Sequence, residues 1–305
     1  TLTCLLAINF CLGFTTFSQS NPNTILSAIF QNIKTGKIQA IDTKPLYQTA
    51  NHTKVFSLLA PYYTDTLSAV RDKAYEMAAS VGAIAANKEL RTKSVNMLVA
   101  GCKDKDKLVA KSCAKRLEKF QKSDFDAGAV YTIKELLSSQ NTIAIQLAGI
   151  AGFLAFPEAE NILLNKLSQQ LSGKEKWQIR LALARLGNQE NLEFVLRKVR
   201  SVTVNDDVIY EAVPLLVYTR QKDAIDYLFS IVQSDEKSCT SAHPDYKEPI
   251  LCGYRVLEYL APVIKDFPVK VDGSGELKGD YATNLQLARM WIKQNNEYAI
   301  LSEGY

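Results

Sequence analysis

The residues best suited to chemistry are few. The chain has two histidines, His52 and His243, and neither has an evident serine, cysteine or aspartate to complete a triad. No Gly-x-Ser-x-Gly, His-Glu-x-x-His or phosphate-loop motif occurs, so serine-nucleophile, zinc-peptidase and P-loop chemistry have no signature here. Of the six cysteines, four lie beyond the first segment, as two pairs close in sequence. Cys239 and Cys252 flank a breaker-rich stretch, TSAHPD, and a bridge there would staple a loop. Closing a loop of about 15 residues contributes ~3 kcal/mol. Cys102 and Cys113 form the second candidate pair, although Cys113 falls where a helix turns inward and a thiol serves as a small apolar group. Zinc would find Cys239, His243 and Cys252, only three ligands at unconvincing spacing. Asp272, Ser274, Glu276 and Asp280 alternate oxygens as a calcium loop does. However, Leu277 stands where an EF-hand needs glycine and Thr283 where it needs glutamate, so a solvated turn accounts for the pattern. No metal, cofactor or catalytic residue is expected.

Charge is distributed unevenly. Residues 88–122 carry eleven lysines and arginines against four acids, a net +7 that leaves −3 for the rest of a chain whose total is +4. Lys107, Lys111, Lys115 and Lys119 recur every fourth residue, a basic stripe along one helix. Like charges at that spacing cost a few tenths of a kcal/mol per pair, so the stripe does not serve helix stability. It is either a solvated face or an attractor for an anionic partner.

The first segment differs from the rest. Residues 2–17, LTCLLAINFCLGFTTF, are uncharged, and no charge precedes Lys34. The run is shorter than the ~20 residues a membrane helix needs and reads as the apolar region of a signal peptide. Thr16 and Ser18 supply small residues before Gln19, so residues 1–18 are expected to be a leader cleaved near Ser18, taking Cys4 and Cys11 with it. The other reading is a first apolar helix of the fold. With a leader, the mature chain is periplasmic or secreted, has no membrane span and is a poor match for nucleic acid. Protein, peptide or anionic glycan fits better.

The elements that position these groups are helices. Hydrophobic residues make up 47% of the 305, with only 14 glycines and 9 prolines, too few for an all-β chain or a disordered one. One segment recurs: a branched apolar residue, a small residue four later, then apolar residues near the eighth and eleventh places. It starts at Val70, Val109, Ile143, Glu175 and Val208, with a sixth copy near Ile250 displaced by the cysteine-flanked insertion. Partner helices lie between, so that Leu192-Glu193-Phe194-Val195 matches Ile225-Asp226-Tyr227-Leu228 at an offset of 33. Each period is two amphipathic helices and two turns. Asp65, Asp106, Asn141 and Asp206 precede second helices, as N-caps do.

These residues resemble HEAT repeats, and Val70-Arg71…Ala74…Gly82 and Ile179-Arg180…Leu186-Gly187 carry the likeness best, across residues 65–262. Only Arg71 keeps the arginine after the branched residue; Ala110, Ala144, Lys176 and Ile209 stand in the matching places. The resemblance implies an all-α fold, a right-handed HEAT-like (armadillo-like) α–α superhelix, or α-solenoid, of about five to six hairpins. It implies little about function, since such families include scaffolds, transport receptors, phycobilin lyases and alkylpurine DNA glycosylases. The chain then divides into the leader 1–18, irregular helices over 19–64, repeats over 65–264, and a loop with a capping helix over 265–305.

In such folds the second helices line the concave face, and their positions +2, +6 and +10 should point away from the core. The first two repeats place Asp72, Glu76 and Ser80, then Lys111, Lys115 and Lys119 there. Later repeats place Ile145, Gly149 and Phe153, then Trp177, Leu181 and Arg185, then Tyr210, Pro214 and Tyr218. This predicts a groove with a basic flank and an aromatic middle, the candidate binding residues being Phe153, Trp177, Arg185, Tyr210 and Tyr218. The expected function is an exported binding or scaffold protein without catalysis. One competing reading is a lyase- or glycosylase-like enzyme with Asp207 and Arg185 brought beside Trp177. The other is a cell-envelope structural subunit.

Overall fold

The structure, a computed structural model, describes residues 21–305 apart from 140–142, 242–244 and 246. The expected leader, the expected Asn141 cap and the candidate zinc ligand His243 fall outside the described residues. The described chain is mostly helical. Its α-helices are α1 (Pro22–Thr35), α2 (His52–Leu59), α3 (Ser68–Ala83), α4 (Lys88–Gly101), α5 (Lys107–Arg116), α6 (Ala127–Ser138) and α7 (Ile143–Leu154). They continue as α8 (Ala159–Leu167), α9 (Gly173–Arg185), α10 (Gln189–Arg200), α11 (Val213–Thr219), α12 (Lys222–Gln233), α13 (Gly253–Leu260) and α14 (Tyr281–Gln294). Two short strands, β1 (Lys237–Cys239) and β2 (Ile250–Leu251), form an antiparallel pair. No helix among the described residues is long and apolar enough to cross a membrane.

The recurring sequence segment falls on α3, α5, α7, α9, the 208–219 helix and α13. These odd-numbered helices pack each on the next, α3 on α5 through to α11 on α13, and the even-numbered helices pack beside them. Burial follows the apolar faces in three clusters. One joins α1 and α2 to α3, a second runs from α3 to α9, and a third runs from α9 to α14.

Polar ties at the repeat spacing stitch successive units. Arg71 gives Nε and Nη2 to Asp104, both at 2.7 Å, and its Nη1 to the carbonyls of Asp65 and Thr66. Arg91 repeats the arrangement one helix later, with Nε on Asp124 at 2.8 Å and Nη1 on the carbonyls of Ala85 and Ala86. Each arginine reaches a carboxylate 33 residues ahead. Arg71, which follows the branched residue of the recurring segment, thus has a structural task, and Arg91 shares it.

Local chemistry explains the helix ends. Asp106 caps α5 through the Leu108 N–H at 2.9 Å. Asn205, not Asp206, accepts from Val208 N–H at the head of the helix that follows. The Asp206 carboxylate instead takes the N–H and hydroxyl of Thr240. Residues Val208–Ala212 form a widened π turn, because Pro214 has no N–H to return to the carbonyl of Tyr210. In α7, Gly152 is a packing requirement: a Cβ there would stand 2.8 Å from the Ala182 carbonyl and 2.6 Å from the Tyr218 hydroxyl.

Two expectations are corrected. The lysine stripe is not continuous, since α5 ends at Arg116 and Lys119 sits in a following 3-10 turn. Buried Phe120 draws the chain out into an extended conformation there. Cys102 and Cys113 are free, buried thiols and not a bridge. Cys113 lies on α5 with its Sγ over Gly101 of α4, where a Cβ would meet it at 2.5 Å, and burial pushes it up to about 12, which suppresses the thiolate. The calcium-like loop is closed on itself, with the Asp272 carboxylate accepting from the Ser274 hydroxyl and the N–H groups of Ser274 and Glu276. Asp280 caps α14. Among the described residues no cluster of His, Cys, Asp or Glu is placed to hold a metal ion. Cys239 and Cys252 are joined by a disulfide across the base of the 240–249 insertion.

Candidate functional site

The odd-numbered layer holds a cleft of about 690 Å³, within the size range of ligand sites. Its walls come from five successive helices of that layer: Lys115 of α5, Ile145, Gln146 and Gly149 of α7, Gln178 of α9, Pro214 and Tyr218 of α11, and Glu258 and Tyr259 of α13. Gly304 and Tyr305 form one side.

That last contribution comes from a strap, residues 297–305. Its first part is tied to the α13–α14 region. Ile300 pairs antiparallel with Ile264, Leu301 N–H donates to Val263 O at 2.8 Å, and the Tyr298 hydroxyl donates to Asp226 at 2.7 Å. Its second part runs along the cleft with a bend at Glu303, held by main-chain carbonyls. Arg220 gives Nε to Leu301 O and Nη2 to Tyr305 O, Arg185 gives Nη2 to Gly304 O at 2.9 Å, and Lys122 N–H donates to Glu303 O. The Tyr305 ring packs edge-on to Phe153 at 5.7 Å and tilted on Tyr218 at 4.9 Å. Its hydroxyl lies over Gly149, where a Cβ would stand only 2.3 Å away.

The candidate residues divide sharply. Phe153, Arg185 and Tyr218 come together, with the Arg185 guanidinium between the two rings at 5.1 and 4.8 Å from their centroids. Arg185 also donates to the Tyr218 carbonyl, and the Tyr218 hydroxyl donates to Gly149 O at 2.7 Å. All three are buried, as are Ile145 and Leu181. This corrects the expectation that the face lies open. The strap covers part of it, and neighbouring odd-numbered helices close over the rest. Trp177 is half-buried against the third cluster and Tyr210 is 56% exposed, and neither lines the cleft. Asp207 is exposed, and Arg185 spends its hydrogen bonds on carbonyls, so the acid–cation pair needed by the enzyme reading is not assembled. Of the lysines, Lys115 lines the cleft and Lys111 acts on Glu175 of α9, while Lys107 and Lys119 are exposed outside it. His52 is buried with its ring Nε2 against the Tyr47 carbonyl, a structural position.

Three contributors escaped sequence reasoning: Glu118, Arg220 and the strap. Spacing places Gly149 on the inner face, between Ile145 and Phe153, but not among the candidate binding residues. Arg220 adopts a left-handed conformation (φ 55°) as the C-cap of α11, a geometry rare outside glycine. Burial and the neighbouring Arg185 bring Arg220 down to about 10, and burial also lowers Arg185. Neither guanidinium is paired with a side-chain carboxylate among the described residues, while the cleft lining carries both signs, Lys115 and Arg220 with Glu118 and Glu258.

Glu118 is held above the ordinary glutamate value by burial, against the opposing pull of Lys115 at 2.5 Å and of the Tyr305 hydroxyl.

Compared with protein-family models the chain matches none, and no curated protein matches it.

Proposed function

We propose that this protein is an exported, non-catalytic binding or scaffold module on a HEAT-like superhelix, taking an extended segment of a partner protein or peptide in the cleft of its odd-numbered helices. One observation carries the reading: that cleft already holds a segment of irregular chain, bound by arginines through main-chain carbonyls. Such contacts depend little on side-chain identity, which suits a site for peptide main chain. Room remains beside the segment, walled by Gln146, Gln178 and Tyr259. The Cys239–Cys252 bridge supports export, since such bridges persist in oxidising compartments.

The test selects ligands from a displayed peptide library on the full chain, then measures their affinity for Tyr259→Ala and Gln178→Ala, two walls the strap does not use. A loss of at least about tenfold, equivalent to about 1.4 kcal/mol, is expected in one or both. Ligands indifferent to both substitutions would overturn the reading.

A further inference from the structure

The cleft has one feature built to a shape and not merely to a charge, the slot that receives Tyr305. Its back is Gly149, where no other side chain leaves space for the hydroxyl. Its sides are the Phe153 and Tyr218 rings. Its end is the part-buried Glu118 carboxylate, which lines the cleft beside Tyr305. Arg185 and Arg220 then hold the main chain on either side of the ring. Each part recognises a different part of a tyrosyl residue in an extended chain.

Leu301, Ser302, Glu303 and Gly304 are exposed, and only Tyr305 is part-buried. Residues 303–305 are held by Lys122, Arg185 and Arg220 through main-chain oxygens and by the two rings on Tyr305, contacts a bound peptide could replace one for one. The Ile264–Ile300 bridge and the Tyr298–Asp226 bond lie upstream of the slot. Exchange of those downstream contacts would let residues 302–305 swing out while residues 297–301 stay in place.

Building on the reading above, we propose that the slot is a receptor for a tyrosine in an extended peptide of a partner, and that residues 302–305 are a competitor held in cis. The partner must displace Tyr305 to bind. A phosphotyrosine is refused, because the phosphate would meet the Glu118 carboxylate and the Gly149 wall.

The probe is a fluorescent peptide with the strap's own sequence, ILSEGY, read by anisotropy. A short tether presents its ligand at millimolar effective concentration, so removing the cis competitor should strengthen apparent binding about 10- to 100-fold. Tyr305→Ala is expected to show that gain. Adding Gly149→Ala to Tyr305→Ala should abolish it, because the new Cβ fills the place of the hydroxyl, while helix α7 keeps its melting behaviour. Substituting phosphotyrosine in the peptide should also abolish binding. Equal affinity for wild type and Tyr305→Ala, or binding that survives Gly149→Ala or phosphorylation, overturns the proposal. A library-selected ligand separates the two readings. If it remains sensitive to Tyr259→Ala or Gln178→Ala while the ILSEGY peptide fails, the cleft binds peptides but the tyrosine slot does not govern it. If the selected ligand is insensitive to both, the cleft reading falls as well.

Discussion

Asp104→Ala is expected to destabilise the fold by about 3–5 kcal/mol, the usual cost of leaving one charge of a buried pair alone. The Arg71 and Asp104 side chains are only 4% and 5% exposed. The guanidinium makes a two-point contact with the carboxylate and satisfies the two carbonyls of the turn before α3. Alanine would leave a desolvated cation facing a void between α3 and the 102–106 turn. Removing both partners, as Arg71→Met with Asp104→Leu, should restore much of the loss, because two apolar groups need no counter-charge. The acid limb carries a second signature. The bond from Arg71 holds the Asp104 carboxyl below the ordinary carboxylate value. The folded-state pKa being depressed, this contribution is present above the ordinary value and is lost as pH falls through the depressed one. Urea unfolding of the single and double variants from neutral to acid pH measures both effects. A loss below about 1 kcal/mol, the range of exposed pairs, would show that the contact behaves as a surface ion pair.

Opening the Cys239–Cys252 bridge is expected to cost about 3 kcal/mol, the chain-entropy value for a loop near 15 residues. Its residues are 13 apart in sequence. The effect should concentrate where the bridge passes order onward. Ser238 donates to Val204 O at 2.8 Å and Thr240 to Asp206, so the hairpin fastens the start of the 206–219 helix. Loss of the bridge should raise hydrogen exchange over residues 204–212 and 237–252 before it affects α3 to α9, which belong to a separate apolar cluster. Dithiothreitol should lower the unfolding midpoint of wild type and leave Cys239→Ala/Cys252→Ala unchanged. A response of that double variant to reductant would mean that Cys102 and Cys113 also take part, contrary to their separate burial.

What could be read in the sequence depended on the range of the interaction behind it. The repeat starts at Val70, Val109, Ile143, Glu175 and Val208 land on alternate helices because the same face must be buried in each unit, and burial leaves a periodic mark. Asp106 was legible as a cap because capping is settled within two residues. The Cys239–Cys252 pair was legible for the same reason, being local and flanked by breakers. The phase of the inner face was less so. Counting +2, +6 and +10 placed Phe153, Arg185 and Tyr218 on a shared face, but spacing along one helix does not show what lies above it. Trp177 and Tyr210 had equal claims by spacing, and neither lines the cleft.

The sequence by itself determined a helical chain, its repeat, its uneven charge and its local closures, all products of short-range propensity and of one buried face per helix. Only the tertiary structure decided the site. Arg185 meets Gly304 across 119 residues and Arg220 meets Tyr305 across 85. Such contacts arise when separately stable helices stack and bring distant residues to one place. They need only one arginine, one glycine or one tyrosine at each position, so they leave no period and no motif along the chain.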